Sequence, residues 1–413
     1  MNVPKIKKVA IIQTKQNFKW LSMQEIIPNL TSCWEKACLE LSFESKVINV
    51  DDLNFKDLTK YILLSDVIVF TAFNESIAKL MRAIRVNLGI DAKFIFHLHG
   101  LTTIGLWPLE KFGVLNLFKS SDEFIGTCQG DLNCMRHVSP NAKITLIPYP
   151  YFPLNSSREN EADQIVFAYV GRLSDQKNIT IIIEAYHLLL TQFKNLKTPP
   201  LLIYGKEDYL GSPNMGLESE PVLSKCENLI ESLGLEKKVI FKGFVPREDL
   251  YKEIGPHHIF VSASTHSDEN FGMALMHSLA QGGAAVVSAW GGHKVFKKYF
   301  NDDTLLLCPV HFKDSIPTVD PQYFAELMMR SFEGFQCKNN SQLPSYFSSE
   351  SVSEQFRLLL TNEDHKSIKL LELTNLAHEL FEQQKFYESQ GFTQRVFRSY
   401  EDPLAQIFLK AYS

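Results

Sequence analysis

The sequence predicts an α/β protein built as two doubly wound domains in tandem. Three observations carry this expectation. Short β-rich runs alternate with helical patterns along most of the chain, the runs are continuously apolar, and one stretch near residue 150 interrupts the alternation before it restarts. Continuous apolar strands separated by helices imply a parallel sheet covered on both faces.

The first series of runs is "KVAIIQT", "SKVINV", "SDVIVFT", "KFIFHLH", "DEFIGTC" and "AKITLIP". Residues 149–163, "YPYFPLNSSRENEAD", then bring prolines, serines and charge without periodicity and read as an interdomain linker. The second series is "QIVFAYVGRL", "PLLIYGK", "KVIFKGF", "HIFVSAS", "GAAVVSA" and "TLLLCPV". From about Asp364 the pattern is mostly helical, with Pro403 expected to break the last stretch into two helices. Sites in such sheets lie beyond the carboxyl ends of the strands, and the cleft between the two domains is the default location. The expected division is 1–155 for the first domain, 156–385 for the second, and 386–413 for helices that cross back to the first.

Bulk properties narrow the classes. The 413 residues suit two or three domains. Apolar residues are 45 % and charged residues 22 %, ordinary for a globular chain, and the net charge of −5 does not favour nucleic-acid binding. Neither Cys33 with Cys38 nor Cys128 with Cys134 has zinc-site spacing, so buried reduced thiols are expected. "GPHHIF" offers His257 and His258 without a nearby third ligand, and no metal is expected. No secretory h-region or membrane-spanning run occurs, so a cytoplasmic protein, placed in solution or at the inner face of the membrane, is expected.

Five stretches have the residues for chemistry. In "VGRLSDQKNITIIIEA", Gly171 follows a strand, and Arg172 and Lys177 precede a helix near Asn178. Two cations there suit a diphosphate, although a lone Arg/Lys pair is more often two surface cations on a solvated loop. "LLIYGKEDY" ends a strand at Gly205. In "KVIFKGFVPREDLYKEI", Gly243, Phe244, Val245 and Pro246 offer an apolar wall and free backbone groups suited to a base ring. Each of these two is also an ordinary strand end with a turn. In "DENFGMALMHSLAQGGAAVV", Asp268 and Glu269 precede an apolar helix expected over 271–279, with Asn270, Phe271 and Gly272 in its first turn and Gly282 and Gly283 closing it. Free N–H groups at such a start bind anions, while the carboxylate reads either as a helix cap or as an acceptor for hydroxyls beside that anion. In "FIFHLHG", His99 closes a strand before Gly100 and faces the cleft, and His97 lies deeper, where burial is expected.

The order "VGRLSDQKN", "YG", "GFVP", "DENFGMALMHSLAQGGAAVVSAWGG" resembles the retaining GT-B glycosyltransferases of the family-4 type (glycosyl transferases group 1) over roughly residues 164–310. The resemblance implies two Rossmann-like domains facing each other across a cleft. It also implies a nucleotide-sugar donor, UDP- or GDP-linked, a glycan, lipid-linked or protein acceptor, and no resident cofactor or metal. By resemblance Arg172 and Lys177 neutralise the donor diphosphate, and Gly171, Gly205 and residues 243–246 line the nucleotide. Glu269 is then the first acid of an E-x7-E motif touching the donor sugar, Asn270 to Gly272 hold the distal phosphate, and His99 lies near sugar and acceptor. Three departures stand out. His277 replaces the second acid, which usually holds the ribose, and is expected to face that ribose in its place. "QTKQNFKW" replaces a glycine-rich loop, and Val295 stands where an acid is common. The alternative is a catalytically altered relative serving as a binding or regulatory subunit of a glycosylation complex. "GLWPLEKFGVLNLF", 105–118, offers either a peripheral membrane or lipid-acceptor contact or a buried helix with its loop.

Overall fold

A computed structural model describes residues 7–15, 21–52, 61–100, 106–153, 164–193, 198–207, 221–267, 269–335, 343–362, 369–391, 397 and 399–413. The chain forms two compact units, Met1–Phe152 with Pro344–Gln383 and Pro153–Leu343 with Gln384–Ser413.

The first unit is a six-stranded sheet of β1 (Lys8–Gln13), β2 (Glu44–Asn49), β3 (Val67–Phe70), β4 (Lys93–His97), β5 (Glu123–Gly126) and β6 (Lys143–Leu146). Its order is β2-β1-β3-β4-β5-β6, and every pair is parallel. The second unit repeats the plan with β7 (Val166–Val170), β8 (Leu201–Tyr204), β9 (Val239–Gly243), β10 (His258–Ser262), β11 (Ala284–Ser288) and β12 (Leu305–Cys308). Their order is β12-β11-β10-β7-β8-β9, again all parallel. All but β2, which begins one residue ahead of its run at Glu44, fall inside one of the apolar runs; the central strands, covered on both faces, are largely buried, whereas the edge strands β2 and β9 keep exposed residues. Phe167, Tyr169, Ile203, Ile259, Val261 and Val286 accordingly share one buried core with Ile182 and Ile183 of the helix Ile179–Gln192. A short antiparallel hairpin, β13 (Val310–Lys313) and β14 (Ile316–Val319), follows β12.

Local signals set several helix starts. Asn74 Oδ1 accepts from Ile77 N at 2.8 Å to cap Glu75–Arg82, and Asp320 and Asp402 cap helices whose first residues are Pro321 and Pro403. Pro403 therefore opens the helix Pro403–Tyr412, and part of the helix expected before it lies outside the described residues. The helical expectation from Asp364 holds over Leu376–Ser389, but not just before it. There Ser120 N donates to Lys369 O and Leu371 N to Phe118 O, an extended pairing along Lys119.

The segment belonging with the first unit late in the chain is 344–383, whereas 386–413, expected to cross back, belongs with the second. Aromatic packing accounts for both placements. Phe356, on the helix Ser349–Thr361, stacks on Trp34 with centroids 3.9 Å apart, while Tyr412 is wholly buried and its carbonyl accepts from Gly291 N at 2.9 Å. In the stretch 105–118, Leu109, Val114, Leu115 and Phe118 are buried, which favours the packed reading over membrane docking; 101–105 lie outside the described residues. Among the described residues no helix is long and apolar enough to cross a membrane. Cys33, Cys38, Cys128, Cys134, Cys226 and Cys308 are buried thiols outside any disulfide.

Candidate active site

In the second sheet the strand order reverses between β7 and β10, which are neighbours. Ligands of open α/β sheets bind beyond the carboxyl ends of strands at such a point. The loops leaving these two strands carry the polar cluster.

The loop after β7 is bent by its own side chains. Tyr169, buried, donates from its hydroxyl to Arg172 O at 2.7 Å, turning the chain immediately beyond Gly171. Gly205, at the end of β8, has φ +142°, and a Cβ there would overlap the Gly171 carbonyl oxygen, so the two strand ends touch backbone to backbone. A single 3-10 turn, Asp175–Lys177, follows, and Asn178 is left-handed at φ +53° before the helix Ile179–Gln192 begins. Asn178 Nδ2 donates to Ala263 O and to Thr265 Oγ1, both at 2.9 Å, and Thr265 N donates to Gln176 O. These bonds stitch the Lys177 turn to the loop after β10.

That loop delivers Glu269; its neighbour Asp268 lies outside the described residues. Lys177 Nζ and Ser264 Oγ both donate to Glu269 Oε2, the serine at 2.7 Å. Lys177 and Glu269 are 16 % and 12 % exposed, enough shielding for the pair to matter energetically. Glu269 Oε1 faces His293 Nε2 at 4.0 Å. Burial works to raise the Glu269 pKa, but the Lys177 charge foremost, with the hydrogen bonds from Lys177 and Ser264, outweighs it and holds the carboxyl well below the usual range. His293 is pushed down, chiefly by burial and against the pull of Glu269, and is neutral at pH 7. The backbone of the loop is fixed as firmly. Gly292 N donates to Glu269 O at 2.6 Å, and Gly292 packs so tightly on the Phe271 backbone that a Cβ would overlap it. Trp290 Nε1 donates to His266 O, and Ser288 Oγ to Ser264 O.

The helix here is Met273–Ala280, so Asn270, Phe271 and Gly272 precede it rather than forming its first turn. The cause is Gly272, left-handed at φ +93° as the N-cap residue. Phe271 is buried against Phe296, so only its backbone faces this loop's polar side. His277 is buried on the same helix, and its Nε2 lies 3.2 Å from Arg247 Nη1. A guanidinium only donates, so Nε2 accepts and the ring proton is on Nδ1. Arg247 opens the helix Arg247–Ile254 directly after Pro246, so His277 is linked to the 243–246 loop through this arginine. In that loop Gly243 ends β9, Val245 is half-buried, and Phe244 is 48 % exposed with Lys206 Nζ 5.6 Å from its ring centre.

His99 belongs to the first unit and is described within it. Its φ is +45°, a left-handed conformation uncommon outside glycine. Nε2 lies 2.8 Å from Thr71 O and must donate, so Nδ1 accepts from Tyr149 Oη at 2.9 Å. Burial pushes its pKa down to about 4 despite the Thr71 bond, so the ring is neutral. His97 is buried as expected and accepts from Trp34 Nε1 at 2.9 Å. After β1, Lys15 N donates to Asp51 at 2.7 Å, whereas 16–20 of "QTKQNFKW" lie outside the described residues. His258 Nδ1 is spent on Gly255 O at 2.7 Å, and among the described residues no cluster of metal-ligand type occurs.

Thus Lys177, Glu269 and the backbone of Phe271 and Gly272 come together, with Arg172 on the same β7 loop. Ser264, His266 and His293 escape sequence reasoning. His266 and His293 have no spacing signal, because the pairing of β10 with β11 brings their loops together. Buried Tyr412 adds a further support, since its carbonyl holds the Gly291 amide.

Two parallel six-stranded α/β units with this cluster at the switch point define the GT-B class of fold. Residues 154–310 match the family described as glycosyl transferases group 1. The chain is 30 % identical over 238 residues to mannosylfructose-phosphate synthase of Agrobacterium fabrum, covering 49 % of this chain and 50 % of that one. It is 32 % identical over 130 residues to an uncharacterized glycosyltransferase of Methanocaldococcus jannaschii, covering 32 % and 28 %. The chain therefore spans half or less of the length of these relatives. The fold is similar to that of Anabaena HepE in complex with UDP, with a TM-score of 0.59, 15 % identity, and coverage of 86 % of this chain and 100 % of that one.

Proposed function

We propose that the protein is a retaining glycosyltransferase that moves a sugar from a UDP- or GDP-linked donor to a glycan, lipid-linked or protein acceptor without a metal. The observation that carries this reading is the Lys177–Glu269–Ser264 cluster at the β7/β10 switch point, with Arg172 on the adjoining loop. Support comes from the family match and from the UDP bound by the structural relative.

In this reading the cations take the donor diphosphate. Arg172 and Lys177 stabilise the charge that grows on the leaving phosphate, and the amides at Phe271 and Gly272 add to that field. The effect is preorganised electrostatics, which supplies positive charge where a metal otherwise would. Lys177 has a second task, because it also neutralises Glu269. The carboxylate, kept ionised, accepts hydrogen bonds from the donor sugar on the side away from Lys177. Departure of the diphosphate on the face where the acceptor hydroxyl enters preserves the anomeric configuration. The binding-subunit alternative is disfavoured, since a buried charged cluster is costly to keep without a ligand that uses it.

Calorimetry with UDP, GDP and ADP tests the donor half of this reading. One nucleotide is expected to bind, and Arg172→Ala is expected to weaken it about tenfold or more, the worth of a charge-assisted contact. Unchanged affinity in the variant removes the diphosphate assignment.

A further inference from the structure

We infer that Glu269 Oε1 and His293 Nε2 form a two-acceptor notch that reads a hydroxyl of the donor sugar, which makes His293 a specificity residue. The inference rests on the nucleotide-sugar reading above and adds a residue and a chemical requirement to it.

The tautomer of His293 follows from its neighbours. Nδ1 lies 3.3 Å from Ser288 O and 3.4 Å from Ser288 Oγ. The carbonyl can only accept, and the serine hydroxyl has already given its proton to Ser264 O at 2.5 Å. Both partners therefore ask for a proton, and Nδ1 carries it. Nε2 is left with its lone pair. Glu269 is divided in the same way, with Lys177 and Ser264 both on Oε2. Oε1 is the oxygen turned toward His293, and the 4.0 Å separation is too long for a hydrogen bond.

Two acceptors so placed cannot satisfy each other. The imidazole is 2 % exposed and held neutral, chiefly by burial and further by Lys177, so protonating it into an ion pair is disfavoured. A ligand hydroxyl lying between them resolves the arrangement, sharing its one proton with both acceptors in a three-centre bond while remaining neutral. Gly272 packs directly on the ring edge and holds it in place, since a Cβ there would stand 2.9 Å from His293 Cδ2 and 3.4 Å from Nε2. A sugar lacking the hydroxyl leaves both acceptors unmatched, which is how a buried polar site rejects a deoxy analogue.

The test is calorimetry on the whole protein with UDP-glucose and GDP-mannose, with the deoxy-sugar analogues of whichever binds, and with the free nucleoside diphosphate. Wild type is expected to lose about threefold to tenfold in affinity for one deoxy analogue. His293→Leu is expected to lose part of that factor for the parent sugar, because Glu269 Oε1 still accepts, and to discriminate less against that analogue than wild type does. His293→Gln, whose amide oxygen accepts, recovers part of the loss. Nucleoside diphosphate binding stays within about twofold in both variants, which also reports that they fold. Independent losses from variant and analogue, or an equal loss of diphosphate binding, overturn the notch while leaving the donor reading standing. A wild-type protein that binds the nucleoside diphosphate but neither nucleotide-sugar overturns both.

Discussion

Single side chains carry the proposed chemistry, and Lys177 is the most instructive. Its residue type and its place before a helix are legible in the sequence as a diphosphate cation, whereas its ion pair with Glu269 is not, because 92 residues separate them. That pair alters what substitution does. Lys177→Met strands a largely buried carboxylate and should cost about 3–5 kcal/mol of stability in addition to nucleotide affinity. Glu269→Gln leaves a neutral group and should cost less stability, yet cut turnover far more than it cuts nucleoside diphosphate binding. The double variant should be more stable than the sum of the two losses predicts, and chemical denaturation of all three checks this. Independent losses would mean that the pair contributes nothing. His277, the residue expected to face the ribose, is bonded within the protein to Arg247. His277→Glu should therefore keep the arginine in place and retain nucleotide affinity, whereas His277→Leu should lower it by about 0.5–1.5 kcal/mol. Equal affinities in the two variants would make His277 a packing residue.

Strands and loops show where sequence reading succeeds and where it stops. The central strands of both sheets lie in apolar runs quoted from the sequence, since two-sided burial leaves its mark there, whereas the edge strand β2 begins one residue ahead of its run and both β2 and β9 keep exposed residues. The start of the helix Met273–Ala280 was less legible, being set by a left-handed glycine and by contacts with Gly292 far along the chain. The same applies to 369–371, where pairing along Lys119 overrides a helical spacing. Close backbone approach makes a sharp prediction at Gly205. A Cβ there meets the Gly171 carbonyl, a backbone atom that cannot rotate away. Gly205→Ala should cost more than about 3 kcal/mol, beyond the ordinary penalty for such a conformation, and should weaken nucleotide binding because the Arg172 loop must move. A shift in denaturation midpoint of the size expected for an exposed turn would refute the close packing.

For the molecule as a whole, buried histidines dominate the response to acid. His97 and His99 in the first unit, and His258, His266 and His293 in the second, all have pKa values lowered chiefly by burial. The unfolded chain takes up these protons first, so stability falls as the pH drops below about 6.5 and keeps falling until the folded values are reached. For His258, pushed down to about 4, that amounts to about 3 kcal/mol across the interval. Glu269 adds to the loss only at lower pH, because its folded pKa lies below its unfolded one. Thermal melts should therefore shift steeply downward between pH 7 and pH 4, and a flat profile would contradict the buried neutral rings. The two-unit organisation was legible from the interrupted alternation of strands, but the return of 344–383 to the first unit was not, since stacking of Phe356 on Trp34 leaves no periodic trace. The central claim concerns transfer itself. The most direct measurement is mass spectrometry and proton NMR of the protein incubated in EDTA with a panel of nucleotide-sugars and mixed glycan and lipid acceptors. The account predicts one donor converted to its nucleoside diphosphate, with a new glycoside that keeps the donor's anomeric configuration. Inversion of that configuration, dependence on added Mn²⁺ or Mg²⁺, or binding of the donor without any turnover would contradict it.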